Sequence, residues 1–383
     1  MKKYLPFIIV FFVALTVYIL FAQKGFQYLN NFSPLAQSFL NGRLDVDKLP
    51  NLTELVENGG KYFVVYPPMP AVVLMPLVAV LGANFNVVPV GVLIGALSVA
   101  LFYLLASNFT DKMSTRILTV ALFGFGTNFF YTAEISSSWY FAHTIAVFFL
   151  IAGLLFAKNK HAFLGGLMLG FAFLSRLPTI LAFPLFLYLL TESEKKERKL
   201  NQVIIFFAPI LAAVFLFGLY NYLRFGSFLQ TGYSLIPNVS IEPWYREGVF
   251  SLTYIPRQLQ AIFLAMPKFS LSWPFFLPSP NAMALWLTTP ALILLFFTKF
   301  KNKIVLFSLL SALLVAFPSL IHGTVGFTQF GYRFSLDYIV FLLIPLVFAF
   351  DKVGYKIASA LVGLSIAINV WVLILFQLGI FKT

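Results

Sequence analysis

No cysteine occurs in the 383 residues, which excludes disulfides, thiolate metal sites and cysteine nucleophiles. Charge is scarce as well. Asp, Glu, Lys and Arg make up 10% of the chain, and 13 acidic residues stand against 26 basic ones. So little charge cannot clothe a soluble domain. The short alternating segments of a membrane β-barrel are also missing, as are internal repeats and low-complexity tracts. What is abundant is apolar: 60% of residues are hydrophobic, 48 are phenylalanine and the mean hydropathy is +0.91.

Apolar runs of about 18 residues or more read as membrane-spanning helices. They recur from end to end, so the expected class is an all-α polytopic membrane protein forming a single domain over residues 1–383. Roughly eleven spans are expected by apolar length: 4–22, 87–107, 116–133, 139–157, 162–175, 178–190, 202–222, 282–298, 304–321, 334–350 and 354–377. The run 4–22 is longer than a signal-peptide core and lacks a good cleavage site, so a retained first span is expected. Residues 68–83 are apolar, but Pro67, Pro68 and Pro70 at the start and Pro76 inside predict a re-entrant or interfacial helix.

Loop charges set the orientation. With a cytoplasmic N-terminus, 15 of the 26 basic residues fall in short inner loops, as the positive-inside bias requires. The same bias accounts for the net charge of +13 without nucleic acid as a partner. Two long loops, 23–86 and 223–281, then lie on the outer face. Their mixture of aromatic, charged and proline residues suits interfacial helices. Asn51-Leu52-Thr53 and Asn238-Val239-Ser240 fit a glycan-acceptor pattern there.

Residues 41–70 hold four of the 13 acidic residues, Asp45, Asp47, Glu54 and Glu57. Asp45 and Asp47, two apart, face one side of an extended segment. They can bind a divalent metal or divide into base and orienter, although a solvated turn before Pro50 explains them too. Glu54 and Glu57 read as a short helix-like stretch. Lys61, Tyr62 and Tyr66 precede Pro67 and could hold a lipid-linked phosphate, or anchor the loop at the interface. Further ionisable or polar groups collect at span ends on the same face: Glu134, Trp139 and His143, then Arg176, then Tyr332, Arg333 and Asp337. Ionisable groups at membrane depth are costly and are functional candidates by default. The plainer alternatives are an i, i+4 ion pair between Arg333 and Asp337 and a capping or buried, satisfied histidine at His143.

In order, the chain carries an outer loop with Asp-x-Asp, then GKYFVVYPPMPAVVLMP, FGFGTNFFY, SWYFAH, GGLMLGFAFLSRLPT, YNYLRFGSFLQTGY and QFGYRFSLDY. This series resembles the GT-C superfamily of integral-membrane glycosyltransferases, in particular the branch akin to protein mannosyltransferases and lipid A aminoarabinose transferases. The resemblance covers nearly the whole chain. It implies a helix bundle with interfacial helices in the first outer loop and a polyprenyl-phosphate-linked sugar as donor on the outer face of the plasma membrane. It also implies an acid in that loop that activates a hydroxyl on a lipid, glycan or protein acceptor. Asp45 and Asp47 match the acid pair, with Asp47 as expected base and Asp45 orienting it. Relatives often carry the pair nearer the first span, where this chain has Asn30 and Asn31; the role then belongs to Asp45 or Asp47, passes to Glu54, or is lost. Tyr66 stands where relatives often have a lysine, for which Lys61 is a substitute. Lys61, Tyr66, Arg176 and Arg333 are the expected phosphate ligands; Glu134, Trp139, His143 and Tyr332 are expected to line the substrate site. Rival readings are a transporter or flippase for a lipid-linked sugar, which predicts inverted repeats, and a non-catalytic protein that binds the same donor.

Overall fold

A computed structural model of the protein describes residues 5–22, 30–49, 52, 54–327 and 329–381. Asn51 and Thr53 of the first glycan-acceptor pattern lie outside them. The fold is mostly helical (68%). In chain order it runs α1 (Leu5–Phe21), α2 (Phe32–Leu40), a hairpin of β1 (Leu55–Asn58) and β2 (Lys61–Val64), then α3 (Met69–Leu81), α4 (Val88–Ala106), α5 (Met113–Phe125), α6 (Asn128–Ile135), α7 (Ser138–Lys158), α8 (Ala162–Phe173), α9 (Phe183–Thr191) and α10 (Lys196–Phe225). There follow α11 (Ile255–Phe263), a ribbon of β3 (Lys268–Phe269) and β4 (Phe276–Leu277), α12 (Leu285–Thr288), α13 (Lys303–Leu320), α14 (Ile339–Val353) and α15 (Tyr355–Gln377).

Five helices among the described residues, α4, α7, α10, α13 and α15, are long and apolar enough to cross a membrane. Several other expected spans are shorter or broken, each at a residue that disfavours an uninterrupted helix. Gly126 and Thr127 separate α5 from α6, and the Thr127 side chain caps α6 by accepting from the Phe129 amide. Pro178 opens a 3-10 turn before α9, and Pro290 opens another over Pro290–Phe297 in place of a full span at 282–298. Helix α3 has 13 residues, about 20 Å by helical rise, short of a hydrocarbon core of about 30 Å.

Two cores hold the chain together. The larger joins α1, α4–α9 and α13–α15 around Phe123, Phe129, Leu150 and Leu343. The second seats the segment between α1 and α4: Phe32 and Leu35 of α2, Val56 and Val64 of the hairpin and Leu74 of α3 pack on Phe141 of α7 and Phe217 and Tyr220 of α10. Helices α8 and α10 touch closely because Gly166 has no side chain; a Cβ there would lie 2.0 Å from the Phe206 carbonyl oxygen. Outside, large apolar side chains such as Leu211, Phe215 and Leu313 stay exposed, the surface a lipid-facing helix presents.

Candidate functional site

The stretch containing Glu54 and Glu57 is a β-hairpin rather than the expected helix. Leu55 pairs with Val64 and Asn58 with Lys61, and Gly59 and Gly60 turn the chain with φ of +58° and +74°, the left-handed pair a two-residue hairpin turn demands. Arg224, buried at the end of α10, ties the hairpin to that helix. Its guanidinium donates to the Val64 carbonyl at 2.5 Å and to Asn221 Oδ1 at 2.8 Å, and it lies 3.7 Å from the Tyr220 ring centroid. Its carbonyl oxygen accepts from Asn58 at 2.7 Å.

The candidate acids lie at opposite ends of this hairpin. Near the turn, Val46 bridges to Tyr62, which leaves Asp45 and Asp47 on one side as their spacing predicts. There Arg43 binds both, at 2.6 Å to Asp45 and 3.2 Å to Asp47, and Lys61 approaches Asp45 at 3.6 Å. The Arg43 hydrogen bonds hold the Asp45 carboxyl below its ordinary value. Asp47 is 81% exposed and Lys61 63% exposed at the side chain. A guanidinium thus occupies the position between the carboxylates that a divalent ion would take. No group of three or more His, Asp or Glu able to hold a metal occurs among the described residues.

At the other end the acid is Glu54. The Tyr66 hydroxyl donates to its carboxylate, and Trp139 Nε1 donates to Oε2 at 3.2 Å. Burial raises the Glu54 carboxyl above its ordinary value, while the Trp139 hydrogen bond and the charge of Arg333 pull it partly back. Trp139 and His143 lie four apart on α7 and so share a face. One reaches Glu54; the other reaches Asp337 through Nδ1 at 2.9 Å. Arg176, where the chain turns from α8 into its 3-10 segment, grips Asp337 with two hydrogen bonds of 3.1 and 2.9 Å.

The expected pair between Arg333 and Asp337 is absent. Residues 333–337 form a 3-10 helix, with three residues per turn, so positions four apart diverge by about a third of a turn instead of stacking. Arg333 is buried against rings instead: its guanidinium lies 5.2 Å from Trp139 and Tyr140 and 5.9 Å from Phe334, whose ring also lies 5.7 Å from the Arg176 guanidinium. It forms no salt bridge among the described residues, and its Nε has no hydrogen-bond partner there. A buried cation without a counter-charge is costly unless something anionic is meant to meet it.

The structure therefore gathers Glu54, Tyr66, Trp139, His143, Arg176 and Arg333. It leaves Asp45, Asp47 and Lys61 at the turn end. Glu134 is buried elsewhere, on α6. Tyr332 is structural, its hydroxyl donating to Gln258, which in turn holds the carbonyls of His322 and Thr324.

Three residues without a sequence signal border the cluster. The Tyr233 and Tyr245 hydroxyls are 3.3 Å apart, and both rings meet His322 at 5.7 Å, which packs in turn on Phe334. Burial pushes the Tyr233 phenol up to about 12 and His322 down to about 4. His322 is neutral at pH 7. Nothing in seventeen tyrosines and three histidines marks these, because remote loops bring them together.

Compared with known families and characterised proteins, the chain matches no family model and no characterised sequence.

Proposed function

We propose that the chain is a multi-pass glycosyltransferase of the plasma membrane, of the GT-C kind, with roughly eleven spans including the short and broken ones. Its N-terminus is cytoplasmic and its site faces outward. It moves a sugar from a polyprenyl phosphate to a hydroxyl on a lipid, glycan or protein. The observation that carries this reading is a half-buried acid, Glu54, held by two hydrogen-bond donors and feeling the field of an arginine that forms no salt bridge among the described residues.

The chemistry follows from those two groups. The acceptor oxygen attacks the anomeric carbon as the bond from that carbon to the phosphate oxygen breaks, and the electron pair leaves on the phosphate. Glu54 takes the acceptor proton; a positioned base contributes about 10²–10⁴-fold. Arg333 meets the growing phosphate charge, the kind of fixed electrostatic help that is usually the largest catalytic effect. Arg176 is shared with Asp337 and contributes less. A single displacement inverts the anomeric centre. Asp45 and Asp47, already paired with Arg43 and Lys61, serve the loop and not the reaction.

The test is transfer from a radiolabelled polyprenyl-phosphate sugar by the purified chain in lipid nanodiscs, with no gradient across the membrane. Transfer lost in E54Q with donor still bound supports the reading. Donor bound by the wild type without any turnover would instead make the chain a binding protein.

A further inference from the structure

A cavity of about 210 Å³ lies where the segments leading into α2, α4 and α7 meet, lined by Asn30, Asn84, Asn86, Ser136, Ser137 and the ring of Phe85 among others. None of its lining residues is charged. We propose that this cavity holds one uncharged sugar ring of a glycan acceptor. The proposal deepens the glycosyltransferase reading and rests on it.

Three observations support it. Ser137, a lining residue, is 4% exposed, and its hydroxyl has no hydrogen-bond partner among the described residues. Buried hydroxyls are almost always paired, so this one awaits a ligand group that can donate and accept. The turn presenting it is strained and held in place: Ser136 and Ser138 have φ of +44° and +29°, a conformation non-glycine residues keep only where packing imposes it. Ser136 donates to the Ala133 carbonyl at 2.6 Å, and Gly91 of α4 leaves the room, since a Cβ there would fall 1.6 Å from the Ser136 hydroxyl.

The third observation is the lining itself. Helix N-termini attract anions, but a phosphate site normally adds lysine or arginine, and this wall has neither. Amides, hydroxyls and one aromatic ring suit a ring that carries many hydroxyls and no charge. The cavity also adjoins the helix that carries the donor to Glu54: Ser137 stands at the N-cap of α7, two residues before Trp139.

Saturation-transfer NMR on the full chain in nanodiscs tests this with methyl hexopyranosides of glucose, mannose and galactose, and with methyl glucuronide and inorganic phosphate as charged probes. At least one neutral hexoside should bind saturably, and S137V or N84A should weaken it tenfold or more. Asn84 is exposed, so N84A reads the site even where S137V fails to fold. No saturable neutral hexoside, a preference for either charged probe, or wild-type affinity in both variants overturns the proposal. E54Q separates the two readings: it should keep hexoside binding while losing transfer. If E54Q keeps both, the assignment of the base falls and the cavity stands.

Discussion

The two ends of one short hairpin carry acids of opposite character. At the turn, Asp47 stands in water and Asp45 is largely covered, with Arg43 and Lys61 as counter-charges. At the base, five residues along the chain from Lys61 to Tyr66, about 16 Å when extended, Glu54 is half-buried between a phenol and an indole. The first arrangement lowers a carboxyl's proton affinity and the second raises it. An acid held down by an arginine is a poor base. One held up by burial, beside an arginine that forms no salt bridge among the described residues, is suited to accept a proton as negative charge develops nearby.

The largest effect that sharpens this contrast is on turnover. E54Q should lower transfer by about 10²-fold or more, the size of a lost general base, while D45N and D47N stay within about twofold in the same assay, well inside the range of surface changes. A D47N enzyme as dead as E54Q would reverse the two ends. Next comes donor affinity. R333A should weaken donor binding about tenfold or more, and R333K should recover it only in part, because a lysine cannot lie flat among Trp139, Tyr140 and Phe334 while presenting several donors. Equilibrium binding of the labelled donor reads both.

Smaller effects appear in stability against pH. Glu54 has a raised proton affinity in the folded chain, so its contribution is favourable at low pH and is lost as pH rises through the folded value. E54Q should therefore melt higher than the wild type at pH 8, and the difference should vanish near pH 4. Asp45 has the opposite sign: its depressed value stabilises above the unfolded carboxyl's titration and fades as pH falls through the folded one. D45N should melt slightly lower at pH 7, with the gap closing as pH falls through the folded carboxyl's titration, a small loss because Arg43 is exposed and its pairings are solvent-screened.

Much of this fold was legible in the residues. Apolar length pointed to membrane helices, and Pro178 marked the break between α8 and α9. The prolines around residues 67–76 pointed to a re-entrant or interfacial helix, and α3 there has 13 residues. The hairpin was legible too, since Asn58-Gly59-Gly60 between two β-prone runs is a turn signal, yet the acidic spacing suggested helix. The site was legible only in pieces. Glu54, Trp139, His143, Arg176 and Arg333 each stood out as charge or polarity in an apolar chain. Which of them meet depended on a 3-10 segment turning Asp337 away from Arg333, and on Arg224 reaching back to Val64. Neither is a property of neighbouring letters. Tyr233, Tyr245 and His322 come from loops whose encounter no local pattern announces.

Helix α10 has 30 residues, about 45 Å by helical rise, half as long again as a typical hydrocarbon core. Such a rod leans in a thin bilayer and straightens in a thick one. Its C-terminal end grips the strand next to Glu54, whereas Arg333 belongs to a different part of the chain. Lipid thickness thereby becomes a lever on the gap between base and arginine. Turnover measured in nanodiscs of graded acyl length should peak at one thickness, and a flat profile would mean that the hairpin and the rod move independently.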